Sequence, residues 1–240
     1  MKNTFIKLQT GLWIILSLWV ALWLSWQVLA QVNFGYALWY QAGGIQQNIE
    51  HYAPLNKYRP DFAQTSDEVR LQLFAGIVNA IQNQGQGLNQ LAYENDTGKI
   101  PLLRQPEIVH LQDVANLVSF LNTLGWGGLI LWISLSVGLM AKNAHFPSQK
   151  QAGLVIFGLV FALTLTLISF GAERVFYQLH IWIFPAGHQW FFYYEDSLMS
   201  TMMKAPHLFA YIGASLLGLN IALFMAIIQV FQAVKPTKFE

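Results

Sequence analysis

In this 240-residue chain 55% of the residues are hydrophobic, only 10% are charged and the net charge is +1, the profile of a protein that lives in a membrane. Cysteine is absent, which excludes disulfides, thiolate nucleophiles and thiolate metal sites together. A bilayer core takes ~20 helical residues at a rise of ~1.5 Å each. Four runs meet that demand, near 11–32, 114–141, 152–172 and 207–233.

The first run follows Lys2 and Lys7 and ends in Val28-Leu29-Ala30, which has the look of an export signal with its cleavage site. Its apolar stretch exceeds the ~7–15 residues of such a signal, so a retained signal-anchor helix is expected. The long segment that follows is too extended to be structureless in a compact protein. Thr65-Ser66-Asp67-Glu68 fits a capping box, and Val69, Leu71, Leu73, Phe74, Ile77, Val78 and Ile81 recur near helical spacing, predicting one short helix over 67–82. Gln82-Asn83-Gln84-Gly85-Gln86-Gly87 then reads as a flexible connector.

Pro106 stands where a helix can begin and Glu107 suits its positive end, and from there the chain runs without a breaker into the second membrane span. His110 and Asp113, three apart, share a face of that helix, where a carboxylate can orient an imidazole or merely solvate the helix end. The third membrane helix is expected to continue past Glu173, so that Glu173, Tyr177, His180 and Phe184 form one stripe, stopped by Pro185 and Gly187. Trp190 to Tyr194 has the character of an interfacial aromatic belt, and Asp196 or Ser197 is placed to cap a short helix ending before Pro206. Ala210, Ala214, Gly218 and Ala222 give the last span a small-residue face for close helix packing.

Lysines in the tails and short connections set orientation. Lys2 and Lys7, Lys142 and Lys150, and Lys235 and Lys238 put both termini and the second connection in the cytoplasm. The segments 33–113 and 173–206 then face outward, and with them eleven of the twelve acids. The expected architecture is an all-α, polytopic four-transmembrane-helix bundle, one integral membrane domain over 1–240. It carries a large extracytoplasmic loop with a short helix and a second, aromatic-rich one.

Two segments match a family pattern. His110-Leu111-Gln112-Asp113-Val114, before the second span, and His180, Phe184, Trp190, Phe192, Asp196 and Pro206, after the third, resemble the signatures of the bacterial four-helix integral membrane family that includes the lipoprotein intramolecular transacylases. Leu179 and Ile183 stand where that pattern has phenylalanines, and it assigns no role to His188. The resemblance implies a reaction at the outer leaflet of the bacterial cytoplasmic (inner) membrane. An acyl chain moves from the glycerol sn-2 ester of a diacylglyceryl lipoprotein to the amine of its N-terminal cysteine, leaving a lyso-form lipoprotein.

An α-amine with a pKa of ~7.7–8.0 must lose a proton to attack an ester, which suits an imidazole as base and acid. His110 and His180 are therefore the expected catalytic pair, one as base and one as acid or oxyanion donor. Asp113 is expected to orient His110, while Glu173 and Tyr177 share the His180 stripe. Trp190, Phe192 and Asp196 are expected to shape the headgroup pocket and Phe184 the acyl-chain wall. The expected partners are the lipoprotein and membrane phospholipids, with no nucleic acid, cofactor or metal. Two other readings stay open on the residues alone: a metal-dependent hydrolase using His110, His180, His188 or His207 with Asp113 or Asp196, and a non-enzymatic lipid-binding scaffold.

Overall fold

Hydrocarbon offers a backbone N–H or C=O no partner outside its own segment, so apolar runs of this length fold as unbroken helices. In the computed structural model, which describes residues 2–233, the chain forms α1 (Lys2–Gln31), α2 (Tyr36–Ala42), α3 (Ile45–Tyr52), α4 (Asp67–Gln82), a hairpin of β1 (Ala92–Asn95) and β2 (Gly98–Pro101), and α5 (Gln105–Ala141). There follow α6 (Gln149–Phe170), α7 (Ala172–Ile183), α8 (Leu198–Met203) and α9 (His207–Ala233). The helices at Ile6–Gln31, Gln105–Ala141, Gln149–Phe170 and His207–Ala233 are long and apolar enough to cross a membrane, at the four places that hydropathy marks. The fold is an all-α membrane architecture with one two-stranded hairpin.

The chain divides into two compact units. The first comprises Met1–Val28, Asn122–Ala172 and Ser215–Glu240. Its core joins Trp13 and Ala21 to Leu139, Ala152, Phe224 and Ile228. Indole N–H groups in an apolar setting need acceptors, and α1 and α5 supply them reciprocally. Trp13 Nε1 donates to Ser136 Oγ and Trp132 Nε1 to Ser17 Oγ, both at 2.7 Å. Each serine in turn donates to the carbonyl four residues back, Ser17 to Trp13 and Ser136 to Trp132. Nearby, Trp23 donates to Asn122 Oδ1 at 3.1 Å and Trp19 to the Leu124 carbonyl at 3.2 Å, with their indoles lying over Gly125 and Gly128.

The second unit comprises Leu29–Leu121 and Glu173–Ala214. Its first loop holds more structure than the single expected helix: α2, α3 and the hairpin are added to α4. The α4 boundaries agree with the expectation, but the cap is one-sided, with Ser66 Oγ accepting from Val69 N–H and the third helical position occupied by valine instead of Glu68. The Gln82–Gly87 connector is a tight turn, in which Gln84 takes φ 58° and Gly85 N–H returns to the Ala80 carbonyl at 2.8 Å. Tyr36 stacks on Phe74 at 3.7 Å between centroids, and Tyr40, Asp67 and Arg70 bond one another beside it.

Two side chains from this region satisfy carbonyls at the end of α8, and the lysine that caps α8 reaches back to the region. Tyr36 Oη donates to the Met202 carbonyl and Asn48 Nδ2 to the Thr201 carbonyl, both at 2.8 Å, and Lys204 Nζ donates to the Gly43 carbonyl at 2.9 Å. The last carbonyls of a short helix have no internal partner, so these bonds fix where α8 can sit.

One boundary differs from expectation. The third membrane helix does not continue through Glu173: it stops at Gly171, whose φ of 82° no L-residue adopts readily, and α7 starts afresh. The stripe of Glu173, Tyr177, His180 and Phe184 therefore belongs to a separate short helix and its exit.

A methyl group at Gly125 would overlap the Trp23 indole. The Gly125→Ala variant is expected to lose about 1–3 kcal/mol through overpacking. Thermal unfolding in detergent, followed by tryptophan fluorescence, checks the loss.

Candidate functional site

The site begins with a carboxyl group that has no exposure at all. Glu107, in the first turn of α5, is fully buried and gathers donors from two elements. The Arg104 backbone N–H donates to Oε2 at 2.6 Å and the Arg104 Nε lies 3.5 Å from the same oxygen. Ser197 Oγ donates to Oε1 at 2.5 Å, and Met199 N–H approaches it at 3.4 Å. Ser197 also accepts from Ser200 N–H at 3.0 Å, so a single hydroxyl links the start of α8 to the start of α5. A buried carboxyl is tolerated when its oxygens are satisfied in this way.

One turn after Glu107 comes His110, 8% exposed, whose Nδ1 is buried without a hydrogen-bond partner among the described residues. Its ring faces rings: Phe184 at 5.0 Å, Phe192 at 6.2 Å and His180 at 6.3 Å between centroids. His180 stands on α7 between Phe176 at 4.0 Å and Trp190 at 5.0 Å. Its Nδ1 lies 2.8 Å from the Phe176 carbonyl oxygen. A carbonyl only accepts, so Nδ1 carries the proton and Nε2 of the neutral ring keeps its lone pair. Burial lowers the His180 pKa from its ordinary value, and the Phe176 hydrogen bond partly offsets that shift. Neighbouring Tyr177 has its pKa raised by burial and by a hydrogen bond to Glu173.

His110, Tyr177, His180, Trp190 and Ser200 contribute the polar groups of a cavity of about 120 Å³. Leu111, Val114, Phe176, Phe192, Met199 and Met203 are among its apolar lining residues. The sequence-predicted residues divide accordingly. His110, Tyr177, His180, Trp190 and Phe192 meet at this cavity, and Phe184 packs on both imidazoles. Phe192, read from sequence as part of an interfacial belt, is buried, while Tyr193 beside it is exposed.

Two acids lie elsewhere. Asp113 engages His188 Nδ1 at 2.7 Å instead of orienting His110. Helical spacing brings Asp113 and His110 to one side of α5, but His110 is enclosed by rings whereas the Asp113 carboxylate keeps some exposure and meets the turn after α7. Asp196 pairs with Lys57 at 2.9 Å and does not line the cavity. Among the described residues no three His, Asp or Glu side chains come together as metal ligands.

Sequence reading missed Ser200, Met199 and Met203 on the cavity wall, and credited Glu107 only with complementing a helix end. The pattern Ser197-x-x-Ser200, a capping serine followed by a second hydroxyl, was the available signal. Removing the Glu107 carboxyl strands the Ser197 hydroxyl and two backbone N–H groups in a dry place. Glu107→Ala is expected to cost about 3 kcal/mol or more, with Glu107→Gln retaining part of the stability because its amide oxygen still accepts. Thermal unfolding of both variants in detergent measures the difference.

Comparison with known proteins adds a family. Two solved structures of the membrane integral lipoprotein intramolecular transacylase Lit from Bacillus cereus share the fold: a histidine-to-arginine variant at TM-score 0.71 and a histidine-to-alanine variant at 0.66, each 12% identical and matched over 97% of this chain and 92% and 94% of theirs. No curated protein matches the chain significantly in sequence. The profile described as "Lipoprotein intramolecular transacylase Lit" matches residues 10–206. The chain belongs to the Lit family of lipoprotein intramolecular transacylases, membrane-embedded acyltransferases whose substrates are lipoproteins.

Proposed function

We propose that the chain transfers the sn-2 acyl chain of a diacylglyceryl lipoprotein to the amine of its N-terminal cysteine, with His110 and His180 as the acid–base pair. The observation that carries this reading is the 6.3 Å separation of the two imidazole centroids on one largely apolar cavity. Two protonatable rings, an aromatic enclosure and a wall of aliphatic and methionine side chains suit a substrate that is acyl chain on one side and ester and amine on the other.

The steps balance without a protein nucleophile. The amine nitrogen attacks the sn-2 ester carbonyl, a C–N bond forms and negative charge moves to the carbonyl oxygen. His180 takes the amine proton on Nε2, the position its Phe176 hydrogen bond leaves free. The C–O bond to glycerol then breaks and the glycerol oxygen receives a proton, giving an amide and a free hydroxyl. His110 serves as the second proton carrier or as a donor to the developing oxyanion. Amine and ester belong to one molecule, so holding them together can contribute ~7–11 kcal/mol of the rate enhancement in favourable geometry.

Around this centre, Trp190, Phe192 and Phe184 shape the pocket, and Tyr177, held by Glu173, lies beside His180. Asp113 acts through His188, tying the turn after α7 to α5. Lysine placement supports cytoplasmic termini and an outward-facing site, and the family reading supports residence in the bacterial inner membrane as one integral membrane domain. Membrane phospholipids then surround the spans.

His110→Ala and His180→Ala are each expected to reduce lyso-form production by about 10²–10⁴-fold, the span of general acid–base catalysis. Tandem mass spectrometry of a reporter lipoprotein reads this, because transfer moves an acyl group to the N-terminus at unchanged total mass. Full activity in both variants would end the proposal. The pH dependence has a defined shape. For the parent enzyme, kcat/KM is expected to fall with unit slope below about pH 8 as the substrate amine becomes protonated. Since burial lowers the His180 pKa, its free base persists below 6.5, and the slope steepens to two only beneath that value. Steepening above 6.5 would contradict His180 as the base.

A further inference from the structure

A hydroxyl buried in a helix ordinarily returns its proton to the carbonyl four residues back, as Ser17, Ser25 and Ser136 do in this chain. In α8 and its cap the neighbouring hydroxyls are also engaged. Ser197 Oγ donates to Glu107, and Thr201 Oγ1 bonds the carbonyls of Tyr194 and Ser197 at 2.9 Å. Ser200 differs. It is 4% exposed and lines the cavity with His110 and His180, yet its Oγ makes no hydrogen bond among the described residues. A hydroxyl on a cavity wall with no protein partner is free to donate to whatever the cavity receives.

Its backbone is held on every side. Ser200 N–H is bonded by Ser197 Oγ, which is bonded by the Glu107 carboxyl one turn before His110. The Ser200 carbonyl accepts from Ala205 N–H at 3.2 Å, and the adjoining Thr201 and Met202 carbonyls are held by Asn48 and Tyr36. The one loose element is the hydroxyl, a donor on an otherwise apolar stretch of wall between Met199 and Met203. The chemistry assigned to the cavity creates a need for such a donor, because the ester carbonyl oxygen becomes an anion in surroundings that offer it little water.

We infer that Ser200 is a catalytic residue whose Oγ–H donates a hydrogen bond to the sn-2 ester carbonyl oxygen as it becomes an oxyanion, a role that rests on the histidine reading above. The serine keeps its proton throughout and forms no covalent bond to the acyl group. Glu107 and Ser197 act as positioning residues, setting Ser200 relative to His110. A donor of this kind strengthens its bond as charge develops, so its removal lowers kcat far more than it raises KM.

The test uses the full-length enzyme in detergent with a synthetic diacylglyceryl lipopeptide, alongside H110A and H180A. Ser200→Ala is expected to lower kcat about 100-fold with KM changed by less than about threefold, and Ser200→Thr to restore much of the loss. A lipopeptide carrying a phosphonate in place of the sn-2 ester, which mimics the tetrahedral anion, is expected to lose affinity for Ser200→Ala in parallel with kcat. Where the alanine variant does not fold, the nearly isosteric pair Ser200→Thr and Ser200→Val isolates the hydroxyl. Equal kcat in that pair, or kcat for Ser200→Ala within about twofold of the parent while H110A and H180A are inactive, overturns the serine role and leaves the histidine reading standing. Activity in both histidine variants overturns that reading and the serine role with it.

Discussion

The buried contact between Glu107 and Ser197 is the constraint on which the α5–α8 wall of the cavity depends. It joins residues ninety positions apart in sequence, and each partner governs the start of a helix. Glu107 closes the first turn of α5 through the Arg104 N–H, while Ser197 caps α8 through the Ser200 N–H. Burying a carboxyl is expensive, and replacing such a group with well-packed apolar residues is often neutral or stabilising. Its presence is understandable if what matters is geometry: an apolar contact resists separation but slides, whereas a carboxyl with donors from two helices defines one arrangement.

That arrangement decides what His110 and Ser200 can do, because each lies three residues beyond a member of the knot. The opposite wall is set more simply, by α7, which starts afresh after Gly171. α7 orients His180 through the Phe176 carbonyl and leaves Nε2 as the basic nitrogen. The site is thus a meeting of a hydrogen-bonded wall on α5 and α8 with an aromatic wall on α7 and its exit. The Asp113–His188 pair ties the exit turn back to α5.

The membrane helices were legible in the sequence because hydrocarbon imposes a long, uniform pattern, and all four expected spans appear at their places. α4 was equally legible from its cap and its apolar spacing. The α2–α3 pair was not, since its ordering comes from contacts remote in sequence, such as Tyr36 on Phe74 and Tyr36 to Met202. The hairpin is held by Asp61, whose carboxylate accepts from Tyr93 and Asn95 more than thirty residues away. In the site, the family signature and helical spacing brought out His110, His180, Trp190 and Phe192. Spacing misled for Asp113: it tells which residues share a helix face, and the nearest hydrogen-bond partner came from His188, on a turn that no periodicity describes.

An acyl transfer between two molecules needs a covalent way station or a second binding site. A transfer within one molecule needs neither, and the polar inventory of the cavity has that economy. Two imidazoles, a tyrosine, an indole and one unengaged hydroxyl are set among Leu111, Val114, Phe176, Phe192, Met199 and Met203. In such surroundings a hydrogen bond to a developing charge is far stronger than in water, so a small number of well-fixed donors suffices. The same surroundings penalise a charged imidazole, which keeps His180 neutral and basic near neutral pH without an acid to assist it. The apolar wall therefore has two functions in the proposed mechanism: it receives the acyl chains, and through burial it sets the proton affinity of the base that acts on them.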